Sequence, residues 1–196
     1  MAQDELFQTM RDAWVEVGPR FEAYNLLLPG SPRFICQPEV CTAYCCHAYS
    51  VNLGDAEVER FRKFESMELV DFLEVDEDGE PIKLPMAQPY LLARADGHCK
   101  MLGEHLGCTT YEGRPNACRL YPHFVVFWDP EALRARTTPS RRAAAAFEAA
   151  SLGNTYGLVP LLLGHSECPG FTGPALDAAD WLALFRRTYQ LQYTEM

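Results

Sequence analysis

Cys36-Gln-Pro-Glu-Val-Cys41-Thr-Ala-Tyr-Cys45-Cys46-His47 places four thiols within eleven positions. Four more cysteines follow at Cys99, Cys108, Cys118 and Cys168. Clustered thiols point to disulfides in an oxidising compartment and to metal in a reducing one. The first residues, Met-Ala-Gln-Asp-Glu-Leu-Phe-Gln, carry acid where a signal peptide needs base, and no long apolar stretch follows. The expected compartment is therefore the cytoplasm. Eight cysteines also permit four disulfides, but metal is the stronger reading there.

Composition sets the remaining bounds. The chain has 196 residues, 48% of them hydrophobic, enough for a core that needs no staples. Its net charge is −10 and its pI about 4.9. An acidic surface disfavours nucleic acid and anionic lipid as partners. The longest apolar run, Leu158-Val-Pro-Leu-Leu-Leu163, is too short to span a bilayer.

Residues 3–17 read as an amphipathic helix, with Leu6, Met10 and Trp14 at four-residue spacing. The stretch Leu28-Pro-Gly-Ser-Pro32 interrupts the chain before the cysteines. A second helix is expected from Gly54-Asp55, with Glu57 in its first turn and Val58 and Phe61 facing inward. Residues 68–94 read as strands and turns around Asp76-Glu-Asp-Gly79. His98 to Tyr111 reads as a small hairpin region. Pro115 suits the start of a short helix that Pro122 would stop.

His123 to Trp128 reads as a buried strand. Ser140 is placed to cap a helix that continues to Gly153-Asn154. A final helix is expected from about Pro174 to Gln192, with Ala179, Leu182, Phe185 and Tyr189 on one face. The fold class is thus α+β. The expectation is one domain with a cysteine-rich irregular metal-binding centre, short strands and helices at both ends. Residues 1–33 would form an N-terminal helix and linker, 34–170 the cysteine-cluster domain, and 171–196 a C-terminal helix packed on it.

A metal shell takes thiolates from several segments. Cys36, Cys41, Cys45 and Cys46 lie in one loop; Cys99, Cys108, Cys118 and Cys168 are scattered singles. Gaps of 52 and 49 residues separate the groups, so the fold must bring them together. A structural zinc site usually shows two clean C-x2–4-C knuckles. One knuckle-like run plus scattered singles favours an iron–sulfur or multinuclear site, although neither ferredoxin spacing is present. Adjacent cysteines such as Cys45 and Cys46 tend to point apart, so one of the pair is expected to ligate while the other serves a second purpose. His47, His98 and His165 lie near cysteines in sequence and add nitrogen donors; His105 and His123 are weaker candidates.

The order Phe34-x-Cys36, Cys41, Cys45-Cys46, then Gly97-x-Cys99, Cys108-x-x-Tyr111-Glu112-x-Arg114-Pro115-x-x-Cys118-Arg119-x-Tyr121-Pro122 and Cys168-x-Gly170 resembles the CxxCxxCC cysteine-cluster family. That family, of the YkgJ type, is described as zinc- or iron-chelating. The resemblance covers about residues 34–170, and all eight cysteines fall on its pattern. The spacing of the first knot departs from it, with x4 and x3 where the family name describes x2 and x2. Flagellin lysine N-methylases resemble the same family, and through them the resemblance implies a [4Fe-4S] cluster and methyl transfer from S-adenosylmethionine.

Arg114 and Arg119 flank Cys118, where cations lower a thiol pKa and offset cluster charge. A structural duty, holding the loop through Glu112, serves them equally well. If S-adenosylmethionine binds, Arg114 or Arg119 would hold its carboxylate, Glu112 would face the sulfonium, and Tyr111 or Tyr121 would stack on adenine. As aromatics near a core, Tyr111 and Tyr121 have packing as their plainer role. No Gly-rich nucleotide loop, nucleophile elbow or H-E-x-x-H is present. The leading expectation is therefore a metal-binding, iron–sulfur protein with a redox, sensing or metal-handling role. A methyltransferase acting on a protein substrate and a zinc-stabilised module that binds a protein partner are the alternatives.

Overall fold

The computed structural model describes residues 2–194. Met1, Glu195 and Met196, which belong to the terminal segments expected above, lie outside the described residues. In chain order the elements are α1 (Ala2–Val17), a 3-10 turn (Gly18–Arg20), β1 (Tyr24–Leu26), β2 (Pro32–Phe34), α2 (Tyr44–Ala48), β3 (Asn52–Leu53), α3 (Asp55–Glu65) and α4 (Leu69–Phe72). Then come β4 (Tyr90–Leu91), β5 (Arg94–Ala95), β6 (His98–Cys99), α5 (Asn116–Leu120), β7 (His123–Asp129) and β8 (Arg134–Arg136). Last are α6 (Arg141–Ser151), β9 (Val159–His165), β10 (Phe171–Ala175) and α7 (Ala178–Tyr193). The class is α+β, as expected. The described residues fall into two compact units: residues 2–35 with 122–194, and residues 36–121.

The first unit is built on an antiparallel sheet of order β1-β9-β7-β8. Every residue of β9 is buried. β7 pairs with it from His123↔Gly164 to Trp128↔Val159. Both strands are nearly continuous apolar runs, the pattern of a strand with little solvent on either face. Pro160 cannot donate to a ladder. It lies beyond β1, which pairs only with Leu163–His165. β8 in turn pairs only with Phe127–Asp129 of β7. The Gln192 side chain meets the backbone of Val125 instead, accepting from its N–H at 2.7 Å and donating to its carbonyl at 2.9 Å.

The helices α1, α6 and α7 pack on this sheet through Leu6, Met10, Ala143, Ala146, Trp181 and Phe185. α6 begins as the sequence predicts, with Ser140 Oγ accepting from Ala143 N at 3.0 Å. α7 does not. The segment Phe171–Ala175 pairs with β2, and Asp177 caps the helix by accepting from Asp180 N at 2.8 Å. The start therefore falls after Leu176 and not near Pro174, and the buried face shifts. Trp181, Phe185, Thr188 and Tyr189 are buried while Ala179 is exposed.

The second unit has a smaller core of Leu53, Val58, Phe61, Phe72, Leu73, Leu92 and Met101. α3 starts where expected, and Glu57 Oε2 accepts from Gly54 N at 3.2 Å. Residues 69–72 form a short helix and not the expected strand. Asp71 Oδ2 accepts from Glu68 N at 3.0 Å and closes the first turn, which a strand would leave open. The turn at Asp76–Gly79 is present: Asp76 Oδ1 accepts from Asp78 N and Glu80 N, and Gly79 takes φ +83°. Among the described residues no helix is long and apolar enough to cross a membrane.

Candidate metal centre

Three pieces of the second unit carry the central cysteines. α2 holds Cys45 and Cys46 in its first turn, after Ala43 in the left-handed region at φ 52°. The β5–β6 hairpin ends on Cys99, paired with Arg94, and Cys108 bridges to Leu102 just beyond. α5 carries Cys118. The Sγ atoms of Cys45 and Cys46 lie 4.0 Å apart, side by side instead of pointing away from each other. Cys108 Sγ shares a hydrogen bond of 3.5 Å with the hydroxyl of Thr110, which is buried.

The thiols feel one another. Cys45 is brought down to about 7, chiefly because the Cys46 thiol hydrogen-bonds to it; burial opposes this, and the amides of Cys46 and Cys45 and the Arg114 cation assist. Cys46 is raised correspondingly, first by that bond and by burial, then by Cys45, Cys99 and Cys108. Burial raises Cys99, and Cys108 and Cys45 add to it. Burial pushes Cys118 up to about 12, with Cys99, Cys108 and Cys45 adding and Arg114 opposing. Thiols on three segments thus bear on one another's charge. As anions they would repel, and a bound cation is what reverses that cost. Soft sulfur donors suit zinc or iron–sulfur chemistry. Among the described residues, no three His, Cys, Asp or Glu side chains are grouped closely enough to hold a single ion.

The remaining candidates are placed as follows. Cys36 is exposed and Cys41 half-buried, on the turn where Cys41 N donates to Gln37 O at 3.0 Å. No disulfide joins any of the eight cysteines. Cys168 lies in the first unit, buried, its N–H donating to His165 O at 3.1 Å. His165 and His123 belong to that unit as well. The rings of His47 and His98 meet edge to face at 5.5 Å in the second unit.

The segment around Cys118 is held by charge. Arg119 donates to the carbonyls of Arg114 at 3.0 Å and Glu112 at 2.6 Å, so it fixes the loop through its backbone. The Arg114 guanidinium lies 3.7 Å from the centre of the Tyr111 ring. Tyr121 sits against Tyr49 with ring centres 5.7 Å apart. Buried Glu57 ties α3 to α5, accepting from Asn116 N at 2.7 Å. Arg60 pairs with Glu57 at 3.6 Å and donates to Arg114 O at 3.3 Å. The sequence marks Glu57 only as a helix-start residue; its second role needs the fold.

Arg94 has no motif to announce it. Its guanidinium donates to the carbonyls of Cys46, His47 and Tyr49, which end α2, and of Gly97 in its own hairpin, at 2.5 to 3.4 Å. A five-residue helix leaves its last carbonyls without partners, and one planar fork supplies several at once. Arg94 therefore fastens the Cys45–Cys46 turn to the Cys99 hairpin. Arg94→Lys keeps the charge but loses the fork. It is expected to cost about 2 kcal/mol, since hydrogen bonds to a charged group contribute about 1.5–3 kcal/mol. In a chain of this size that lowers the thermal midpoint by about 4–8 °C. Calorimetry checks this; a midpoint equal to the parent's would show that α2 does not depend on the fork.

A family model described as "Putative zinc- or iron-chelating domain" matches residues 35–144, more than half the chain. The chain belongs to the CxxCxxCC family. The CxxCxxCC match spans the whole second unit and seven of the eight cysteines, and Cys168 lies beyond its end. No curated protein and no solved structure matches the chain.

Proposed function

We propose that residues 36–121 bind metal through the thiolates of Cys45, Cys46, Cys99, Cys108 and Cys118, as iron in a [4Fe-4S] cluster with a redox, sensing or metal-handling role. The mutual electrostatic influence of thiols on three segments, α2, the β5–β6 hairpin with Cys108 and α5, supports this reading. Five exceed the four that one tetrahedral ion takes, and Cys36 and Cys41 on the preceding loop are further donors. When bound, such a cluster supplies one-electron chemistry. The chain's own part is to hold the sulfurs and balance their charge. Arg114 lowers the cost of the Cys45 and Cys118 thiolates, Arg94 orients α2, and Glu57 with Arg119 fixes α5 and its loop.

A tetrathiolate zinc ion that stabilises the unit is the second reading. It is favoured by the 4.0 Å between Cys45 and Cys46 Sγ, close to the edge of about 3.8 Å between two sulfurs on one zinc. Anaerobic purification with iron supplied separates the two. The cluster predicts brown protein with stoichiometric iron and acid-labile sulfide. Colourless protein with zinc alone establishes the second reading. Metal-free folded protein with eight titratable thiols overturns both.

A further inference from the structure

Between Glu131 and Glu148 the chain has no acidic residue and four arginines: Arg134, Arg136, Arg141 and Arg142. In a chain of net charge −10 this is a sharp local reversal. The fold gathers it in the first unit. Arg136 and Arg142 both donate to the buried carboxylate of Asp129, at 2.6 and 3.2 Å. Arg134 stands two residues from Arg136 on β8, hence on the same side of the strand. Arg141 is the first residue of α6, next to Arg142, and is exposed. Arg20 reaches the same place, donating to Leu133 O at 3.1 Å with its guanidinium 5.8 Å from the Trp128 ring. Against these five arginines stand Asp129 and Glu131.

Leu133 is at the tip of this β7–β8 hairpin. It is 64% exposed and adopts φ 48°, the left-handed region, which a bulky residue enters only at a cost. Folding alone asks for glycine or asparagine there. Strain of this kind, held in place by surrounding contacts, concentrates at binding sites. Arg20 fixes the carbonyl of Leu133, and Asp129 Oδ1 accepts from Ala132 N at 3.2 Å, so the tip is preorganised.

We propose that this hairpin tip docks an acidic segment of a partner protein, with Leu133 taking an apolar side chain and Arg134 and Arg141 pairing with carboxylates. Arg136 and Arg142 are held by Asp129, and Arg142 also by Glu131 at 3.5 Å, which offset their charge and leave Arg134 and Arg141 to carry the recognition. Arginines are enriched among the residues that anchor protein partners. A nucleic acid binds chiefly through its phosphates and offers no apolar side chain for Leu133.

The test uses the full chain and a fluorescent ten-residue peptide rich in Glu and Asp around one central leucine, read by anisotropy. Binding should be saturable and weaken as salt is raised. The double variant Arg134→Glu/Arg141→Glu leaves the Asp129 pairs untouched and should lose about tenfold or more in affinity. Leu133→Gly should bind about fivefold more weakly while its thermal midpoint stays level or rises, because the strain is relieved. That split separates a binding role from a structural one. No peptide binding overturns the proposal, as does equal weakening by the control Arg11→Glu on α1. Tighter binding of an oligonucleotide of matching charge replaces the partner class. Self-association by sedimentation that Arg134→Glu/Arg141→Glu abolishes, without peptide binding, assigns the surface to a second copy.

Discussion

Stripping the metal anaerobically with a chelator is expected to remove hydrogen-exchange protection from residues 36–121 while β7 and β9 keep theirs. The reason is the disparity of the two cores. The first unit buries two strongly apolar strands beneath three helices, with Trp181, Phe127 and Phe185 fully enclosed. The second buries few residues, its strands are two residues long, and α2, α4 and α5 span five residues or fewer. Where ligands are disordered without metal, binding free energy becomes folding free energy, about 10–16 kcal/mol for zinc-finger peptides. Cys118→Ser should reproduce the effect and lower bound metal. The thiol it replaces is half-buried and raised by the charges of Cys99, Cys108 and Cys45. Cys45→Ser should do the same. Unchanged protection in the stripped chain, or full metal content in both variants, would show that the cysteines do not carry the second unit's stability.

Trp181→Ala is expected to be the most damaging single substitution in the first unit. The side chain is 1% exposed, stacks on Phe185 at 5.2 Å and meets Phe7 edge to face at 5.0 Å. Its Nε1 donates to Leu27 O at 2.8 Å, joining α7 to the end of β1. Truncating a buried tryptophan costs about 3–5 kcal/mol from lost transfer energy and the cavity left behind. The orphaned carbonyl adds about 1–3 kcal/mol. A thermal midpoint about 10 °C lower or more follows for a chain of this length. Trp181→Phe keeps most of the ring contacts and loses the donor, so it should fall between parent and Ala. A Phe variant as unstable as Ala would mean that the hydrogen bond, not the packing, dominates.

Elements with strong local signals were legible in the sequence. α1, α3 and α6 carry apolar residues at helical spacing, and each start has a reason in the first turn, as with Ser140 and Glu57. β7 is legible because five apolar residues in a row, several of them β-branched or aromatic, leave little choice. The errors fall where local and tertiary signals compete. Leu69-Val-Asp-Phe72 is rich in strand formers, but Asp71 closes a helical turn. Pro174 suits a helix start, yet the backbone on either side of it pairs with β2. β9 went unrecognised as a strand because Pro160 interrupts its apolar run, a penalty removed only where no neighbouring strand needs that N–H.

By itself the sequence determined that this chain is an α+β protein with a thiol-rich centre, because composition, periodicity and helix-start chemistry act over a few residues. The same holds for the candidate donors, since a cluster of cysteines is visible without coordinates. Which of them lie in one unit was decided by tertiary structure, which leaves Cys168 apart from the other seven. Cys46 and Cys99 are separated by 52 residues, and the Arg94 clamp joins their segments, while the Glu57 bridge places α5 with Cys118. The long-range pairing of Tyr24 with His165 and Phe34 with Phe171, which leaves residues 36–121 as a unit of their own, was likewise decided there. Backbone hydrogen bonds between distant strands carry no residue code, so burial of the whole sheet selects the partners.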